Sequence, residues 1–191
     1  MRINTTALPG VHLIYLERIE DERGSFARSF CQREFVEHGL EPTVAQCNIS
    51  HNRRAGTLRG LHYQLPPSAE AKLVRCTRGA IFDVAVDLRP SSPFFGHWYG
   101  AELSAANDAM LYIPKGFGHG FQTLVDDTEI AYQMSEFYVP GLAGGVRYDD
   151  PALGILWPLP VSVVSDRDRQ QPLVDRGALA PLDGYLNAVR I

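Results

Sequence analysis

The stretch Thr57–Arg75, TLRGLHYQLPPSAEAKLVR, sets His62, Lys72, Arg59 and Arg75 into a segment that otherwise alternates like a strand. These residue types move protons and hold anions. An imidazole takes up a proton near neutral pH. An ammonium aimed at a carbonyl oxygen stabilises the enolate made by removing a neighbouring proton, because charge reaches that oxygen only as the transition state forms. Guanidinium groups grip a diphosphate in bidentate fashion. Placed around one pocket, such a set suits proton transfer beside a carbonyl on an anionic substrate.

A second group lies in YIPKGFGHGF, where Pro114, Gly116 and His119 follow the P-x-G-x-x-H pattern of the second half-motif of cupin barrels, a double-sheet jelly-roll architecture. A metal cupin supplies H-x-H and an acidic ligand in its first half-motif. Here Gln64 stands at the second His position, and the next ionisable residues are Glu70 and Lys72. A lysine pointing into a divalent-metal site is repelled by the ion, and two histidines fall short of the usual ligand count. The expected pocket therefore has no metal and no cofactor.

Taken singly, each residue has an ordinary alternative. His62 could be a satisfied core or surface histidine, and Lys72 a solvated strand residue. Arg59 and Arg75 could be salt-bridge partners. Tyr132 reads as one of the aromatics that strands favour, and Asp166 and Asp168 in VSDRDRQQP as turn or cap residues.

The elements that must position these groups read as strands. KLVRCTRGAIFDVAVDLR predicts two strands around an Arg78-Gly79 turn, with Phe82, Val84, Val86 and Leu88 on a core face and Ile81, Asp83, Ala85 and Asp87 on a mixed face. The mixed face is expected to look inward at a negatively charged ligand. HLIYLERIED predicts a strand that breaks at Asp21–Gly24, and QREFVEHGL a short helix ended by Gly39. Further short strands separated by turn residues follow, which favours a sandwich or barrel over a parallel α/β sheet. The tail from Ile155 is expected to close over one barrel mouth with a short C-terminal helix.

With 191 residues, 45% of them apolar and 21% charged, the chain is expected to form a single domain over residues 1–191. A net charge of -4 without any Lys/Arg block argues against nucleic acid or an anionic membrane as partner. The N-terminus lacks signal-peptide features and no segment is apolar for long enough to span a bilayer, so a soluble cytoplasmic protein is expected. Cys31, Cys47 and Cys76 form no C-x-x-C pair and are expected to be reduced and semi-buried.

Seven blocks, DERGSF (21–26), QCNIS (46–50), GTLRGLHYQ (56–64), KLVRCTRGAIFDVAVDLR (72–89), YIPKGFGHGF (112–121), YQMSEFY (132–138) and SDRD (165–168), resemble the dTDP-4-dehydrorhamnose 3,5-epimerase family in order and spacing. The resemblance implies an all-β cupin jelly roll with a few short peripheral helices. It also implies a homodimer acting on a nucleotide-linked 4-keto-6-deoxyhexose. By it, His62 is the base, Asp168 the carboxylate that orients it, Lys72 the residue facing the sugar C4 oxygen, and Tyr132 the acid on the opposite face. Arg23, Gln46, Asn48, Arg59 and His119 match positions that hold the diphosphate and sugar, and Tyr138 one that stacks on the base. Arg167, beside Asp168, is expected to touch phosphate.

Two positions depart from the pattern: Arg28 in SFARSF and Ala143 in GLAGG stand where acids are common. An acid-to-Arg exchange in a nucleotide pocket alters which base or sugar is preferred. The alternatives are a single-centre epimerase, a sugar-nucleotide-binding cupin that does no chemistry, and a metal cupin oxygenase, the last disfavoured by Gln64 and Lys72.

Overall fold

The computed structural model describes residues 1–188. Two antiparallel sheets pack face to face, with the site between them. The first combines β1 (Arg2–Thr5), β2 (His12–Tyr15), β5 (Gln46–Asn52), β7 (Lys72–Arg78), β10 (Ala109–Ile113) and β12 (Thr128–Met134) in the order β1-β2-β10-β7-β12-β5. The second combines β6 (Thr57–Gln64), β8 (Ala80–Asp87), β9 (Trp98–Ser104), β11 (Phe117–Thr123) and β13 (Ala143–Gly145) in the order β13-β6-β11-β8-β9, with β14 (Val163–Val164) pairing parallel to β6. A small hairpin, β3 (Ile19–Asp21) and β4 (Gly24–Phe26), stands off both sheets. The helices are short: α1 (Gln32–Glu37), α2 (Asp166–Arg169), α3 (Arg176–Leu179) and a 3₁₀ run over Ala180–Ala188.

This is the expected jelly roll, and several local readings hold. Gly79, with φ +80°, turns β7 into β8, and Gly39, with φ +69°, follows α1. HLIYLERIED is two strands rather than one, because the chain leaves the sheet after Tyr15 and re-forms as the hairpin.

The faces of β8 are used differently from the simplest reading. Ile81 and Ala85 join Val74, Leu111, Phe121 and Ile130 between the sheets, and Asp83 is fully buried on that same inward face. Val84, Val86 and Leu88 point the other way and pack with Leu61, Val146, Leu153, Leu179 and Leu182. The tail therefore covers the outer surface of the second sheet rather than a barrel mouth. Both surfaces of that sheet are thus removed from water, at roughly 25 cal/mol per Å² of apolar area. Cys76 is buried and Cys31 partly so, whereas Cys47 is exposed, contrary to expectation.

Candidate active site

Strand β6 carries His62 into the pocket. Its partner β11 pairs with it in register at His62–His119, and the register breaks between His119 and Phe121. The backbones approach closely there: at Gly60, with φ +120°, an added Cβ would stand 2.6 Å from the Gly120 Cα. Only glycine accepts that conformation and that distance. The approach brings His62 and His119 abreast, both lining a cavity of about 500 Å³.

The cavity lies between the sheets and draws on both. From β6 come Arg59, His62 and Gln64, and from β11 His119 and Phe121; the facing sheet supplies Asn48, Ser50, Lys72 and Tyr132. Tyr138, Arg167 and the Ala143–Gly144 segment complete the lining. His62 and Tyr132 thus enter from opposite sheets.

His62 Nε2 lies 2.7 Å from Asp168 Oδ1, and Asp168 Oδ2 accepts the Gly60 N–H at 3.2 Å. Burial pushes the Asp168 carboxyl up, but the hydrogen bonds from His62 and Gly60 outweigh it and hold the group below its usual range. The carboxylate stays charged. With Nε2–H donating to it, Nδ1 keeps the lone pair a base needs. Asp168 reaches this place because Ser165 caps the one-turn α2, accepting from the Asp168 N–H at 3.0 Å.

Lys72 is buried, with Nζ 3.0 Å from Glu70 Oε1. Glu70 Oε2 accepts from Gln64 Nε2 at 2.9 Å, and Gln64 also donates to Ser68 and Phe137 carbonyls while its Oε1 accepts the Val139 N–H at 2.7 Å. Gln64 is therefore a clamp between β6 and the Phe137–Val139 segment that carries Tyr138. The Glu70 contact with Lys72 and the Gln64 clamp are features of the pocket wall that the residue pattern did not reveal. Among the described residues, no three His, Cys, Asp or Glu side chains converge as metal ligands.

Burial drives the Tyr132 phenol far above its usual value; the hydrogen bond with Ser50 and the charge of Arg59 oppose the rise, and Asp83 adds to it. The phenol therefore keeps its proton near neutral pH. Arg59 Nε donates to Asn52 Oδ1 at 2.8 Å.

Of the residues singled out from the sequence, His62, Lys72, Tyr132, Asn48, Arg59, His119, Tyr138 and Arg167 line the cavity, and Asp168 stands directly behind His62. Gln46 does not line it; its Oε1 accepts the Tyr138 N–H at 3.0 Å, so it supports that tyrosine instead. Arg23 lies on the β3–β4 hairpin, 85% exposed and paired with Asp21, away from this chain's cavity. Arg75 takes its ordinary reading, 3.8 Å from Asp108. Arg28 is held by Glu34 at 2.9 Å outside the cavity, whereas Ala143 does line it.

The chain is similar to known proteins over most of its length. The family description dTDP-4-dehydrorhamnose 3,5-epimerase matches residues 5–176. The dTDP-4-dehydrorhamnose 3,5-epimerase of Sinorhizobium fredii is 44% identical over 173 residues, covering 90% of this chain and 89% of its own. The dTDP-4-dehydrorhamnose 3-epimerase of Streptomyces niveus is 38% identical, covering 91% and 84%. The crystal structure of the dTDP-6-deoxy-D-glucose-3,5-epimerase of Legionella pneumophila, in complex with dTDP-4-keto-L-rhamnose, superposes with a TM-score of 0.85 at 39% identity, covering 91% and 92%. A matched fold, a matched length and the blocks that line the cavity together place this chain in the dTDP-4-dehydrorhamnose 3,5-epimerase family.

Proposed function

We propose that this protein inverts a dTDP-linked 4-keto-6-deoxyhexose at C3 and C5, in the manner of deoxysugar (dTDP-L-rhamnose type) biosynthesis. The observation that carries the reading is that His62 and Tyr132 face one cavity from opposite sheets. His62 Nδ1 takes the proton α to the ketone, and the C–H electron pair moves into the enolate. Lys72 steadies the C4 oxygen as charge develops there. Tyr132 returns a proton to the other face, and inversion requires this two-sided delivery. A proton leaves and a proton is added, with no change in oxidation state, so the chemistry calls on no redox cofactor.

Arg59, Asn48, His119 and Arg167 hold the diphosphate and sugar, and Tyr138 stacks on the base. The hairpin supplies the rest from a second copy. Ile19 and Phe26 are 70% and 72% exposed beside Arg23, a combination suited to a homodimer in which Arg23 completes a neighbouring site. The proposed location, drawn from the sugar-nucleotide substrate, is the cytoplasm; separately, among the described residues no helix is long and apolar enough to cross a membrane.

The test is incubation with dTDP-4-keto-6-deoxyglucose in deuterated water. Deuterium at both C3 and C5 is expected. Label at one carbon alone assigns a single-centre epimerase, the reading favoured by the Streptomyces niveus relative, and no label with folded protein assigns a binding module. Light scattering checks the dimer.

A further inference from the structure

His62 and His119 are register partners on neighbouring strands, and each contacts a carboxylate. The two pairs are built differently. Asp168 has both oxygens engaged, and the His62 ring it serves is partly open to solvent. Asp83 is fully buried on β8, with Oδ1 2.8 Å from His119 Nε2, and its Oδ2 has no hydrogen-bond partner among the described residues. The charged and titratable groups around this second pair are Lys72 and Cys76 on β7, Tyr132 on β12, and Arg59 and His62 on β6. Lys72, the nearest cation, is already bound by Glu70 at 3.0 Å.

A buried anion with one oxygen unpartnered is costly, and burial accordingly pushes the Asp83 carboxyl up, against the pull of His119 and Lys72. The cheapest way to remove the net charge is one extra proton held between the two groups. It can sit on Asp83 Oδ1 and point at the Nε2 lone pair, or on Nε2 and point at the carboxylate. In both arrangements the remaining ring nitrogen, Nδ1, carries a hydrogen. Among the described residues Nδ1 makes no hydrogen bond.

We propose that Asp83 is a positioning residue: by sharing a proton with His119 it makes that ring present an Nδ1–H donor, rather than a lone pair, to an anionic oxygen of a nucleoside diphosphate sugar. The identity of the ligand rests on the function proposed above; the shared proton does not. Two adjacent histidines thereby take opposite duties, one accepting a proton and one donating a hydrogen bond, and the carboxylate behind each decides which. A neutral ring with Nε2–H turned to a charged Asp83 would aim its lone pair at the phosphate and repel it.

Asp83→Ala removes the carboxylate and with it the shared proton; an amide at this position would instead be able to donate to Nε2 and leave the hydrogen on Nδ1. Calorimetric titration with dTDP is expected to show affinity reduced by about tenfold or more at pH near 8, with partial recovery toward about pH 6 as the ring gains a proton from solvent. In turnover, the rise in KM exceeds the fall in kcat. Nitrogen-15 spectra of the unsubstituted protein, with the His119 signals assigned by their loss in His119→Asn, are expected to show a protonated Nδ1 at about pH 7. An unprotonated Nδ1 overturns the proposal, as does an Asp83→Ala protein that binds dTDP with the parent's affinity and pH profile. Should the parent itself not bind dTDP, the proposed function falls while the spectra still decide the shared proton; should Asp83→Ala not fold, the spectra alone decide it.

Discussion

Replacing Asp168 by Asn removes one charge and almost no volume, and the geometry around it sets the size of the effect. The carboxylate serves two donors at once, His62 Nε2 at 2.7 Å and the Gly60 N–H at 3.2 Å. An amide has one acceptor to offer. If its oxygen faces His62, its NH₂ confronts the Gly60 N–H; if turned round, it imposes the wrong tautomer on the imidazole. As His62 takes the sugar proton it becomes a cation about 4 Å from the carboxylate charge, an attraction of roughly 4 kcal/mol at an effective dielectric of about 20. The His62 side chain is 39% exposed, so solvent screening reduces this to about 2–4 kcal/mol, or roughly 30- to 900-fold in rate. The assay is the initial rate of solvent-deuterium entry at C3 and C5, followed by proton NMR. A loss below about threefold, in a protein that unfolds at the parent's temperature, would refute the assignment of Asp168 as the partner that charges the base.

Gly60→Ala forces a Cβ to 2.6 Å from the Gly120 Cα at φ +120°, so urea unfolding should show a loss of about 2–4 kcal/mol; a parent-like midpoint contradicts the close approach of β6 and β11. Gln64→Leu cuts the clamp to Ser68, Glu70, Phe137 and Val139 and should cost about 2–3 kcal/mol of stability while raising KM through the displaced Tyr138; an unchanged KM sinks the link. Burial holds the Asp83 carboxyl above its ordinary 3.8, so between that value and the folded one the native state keeps a proton that the unfolded chain releases. Stability from this group therefore falls as pH rises through the window, and Asp83→Asn should gain on the parent as pH increases. A difference in urea midpoint that stays constant with pH contradicts this.

The chemistry of the site was more legible than its construction. His62, Lys72 and His119 stood out as imidazole and ammonium groups in strand segments, whereas Tyr132 read simply as a strand aromatic; the family resemblance put Tyr132, Asp168 and the binding residues beside them. All of these except Gln46 and Arg23 reach the cavity or the ring behind it. The residue pattern also placed Asp83 on the inward face of its strand, but the partner of a buried acid is fixed by register between strands, which no single strand's pattern contains. For the same reason Gln64 read only as a missing metal ligand, although its four hydrogen bonds tie three segments together. Alternation marked Val84, Val86 and Leu88 as buried without saying against what, and the answer is the tail. Arg23 pairs with Asp21 on the exposed hairpin and does not line this chain's cavity.

The two carboxylates behind the histidines reach them by different routes along the chain. Asp83 belongs to a central strand and meets His119 as soon as β8 and β11 join, whereas Asp168 arrives from α2, near the end of the polypeptide, once β14 has docked on β6. Synthesis therefore delivers the His119 pair before the His62 pair, and a chain cut short ahead of α2 would keep the first carboxylate and lack the second.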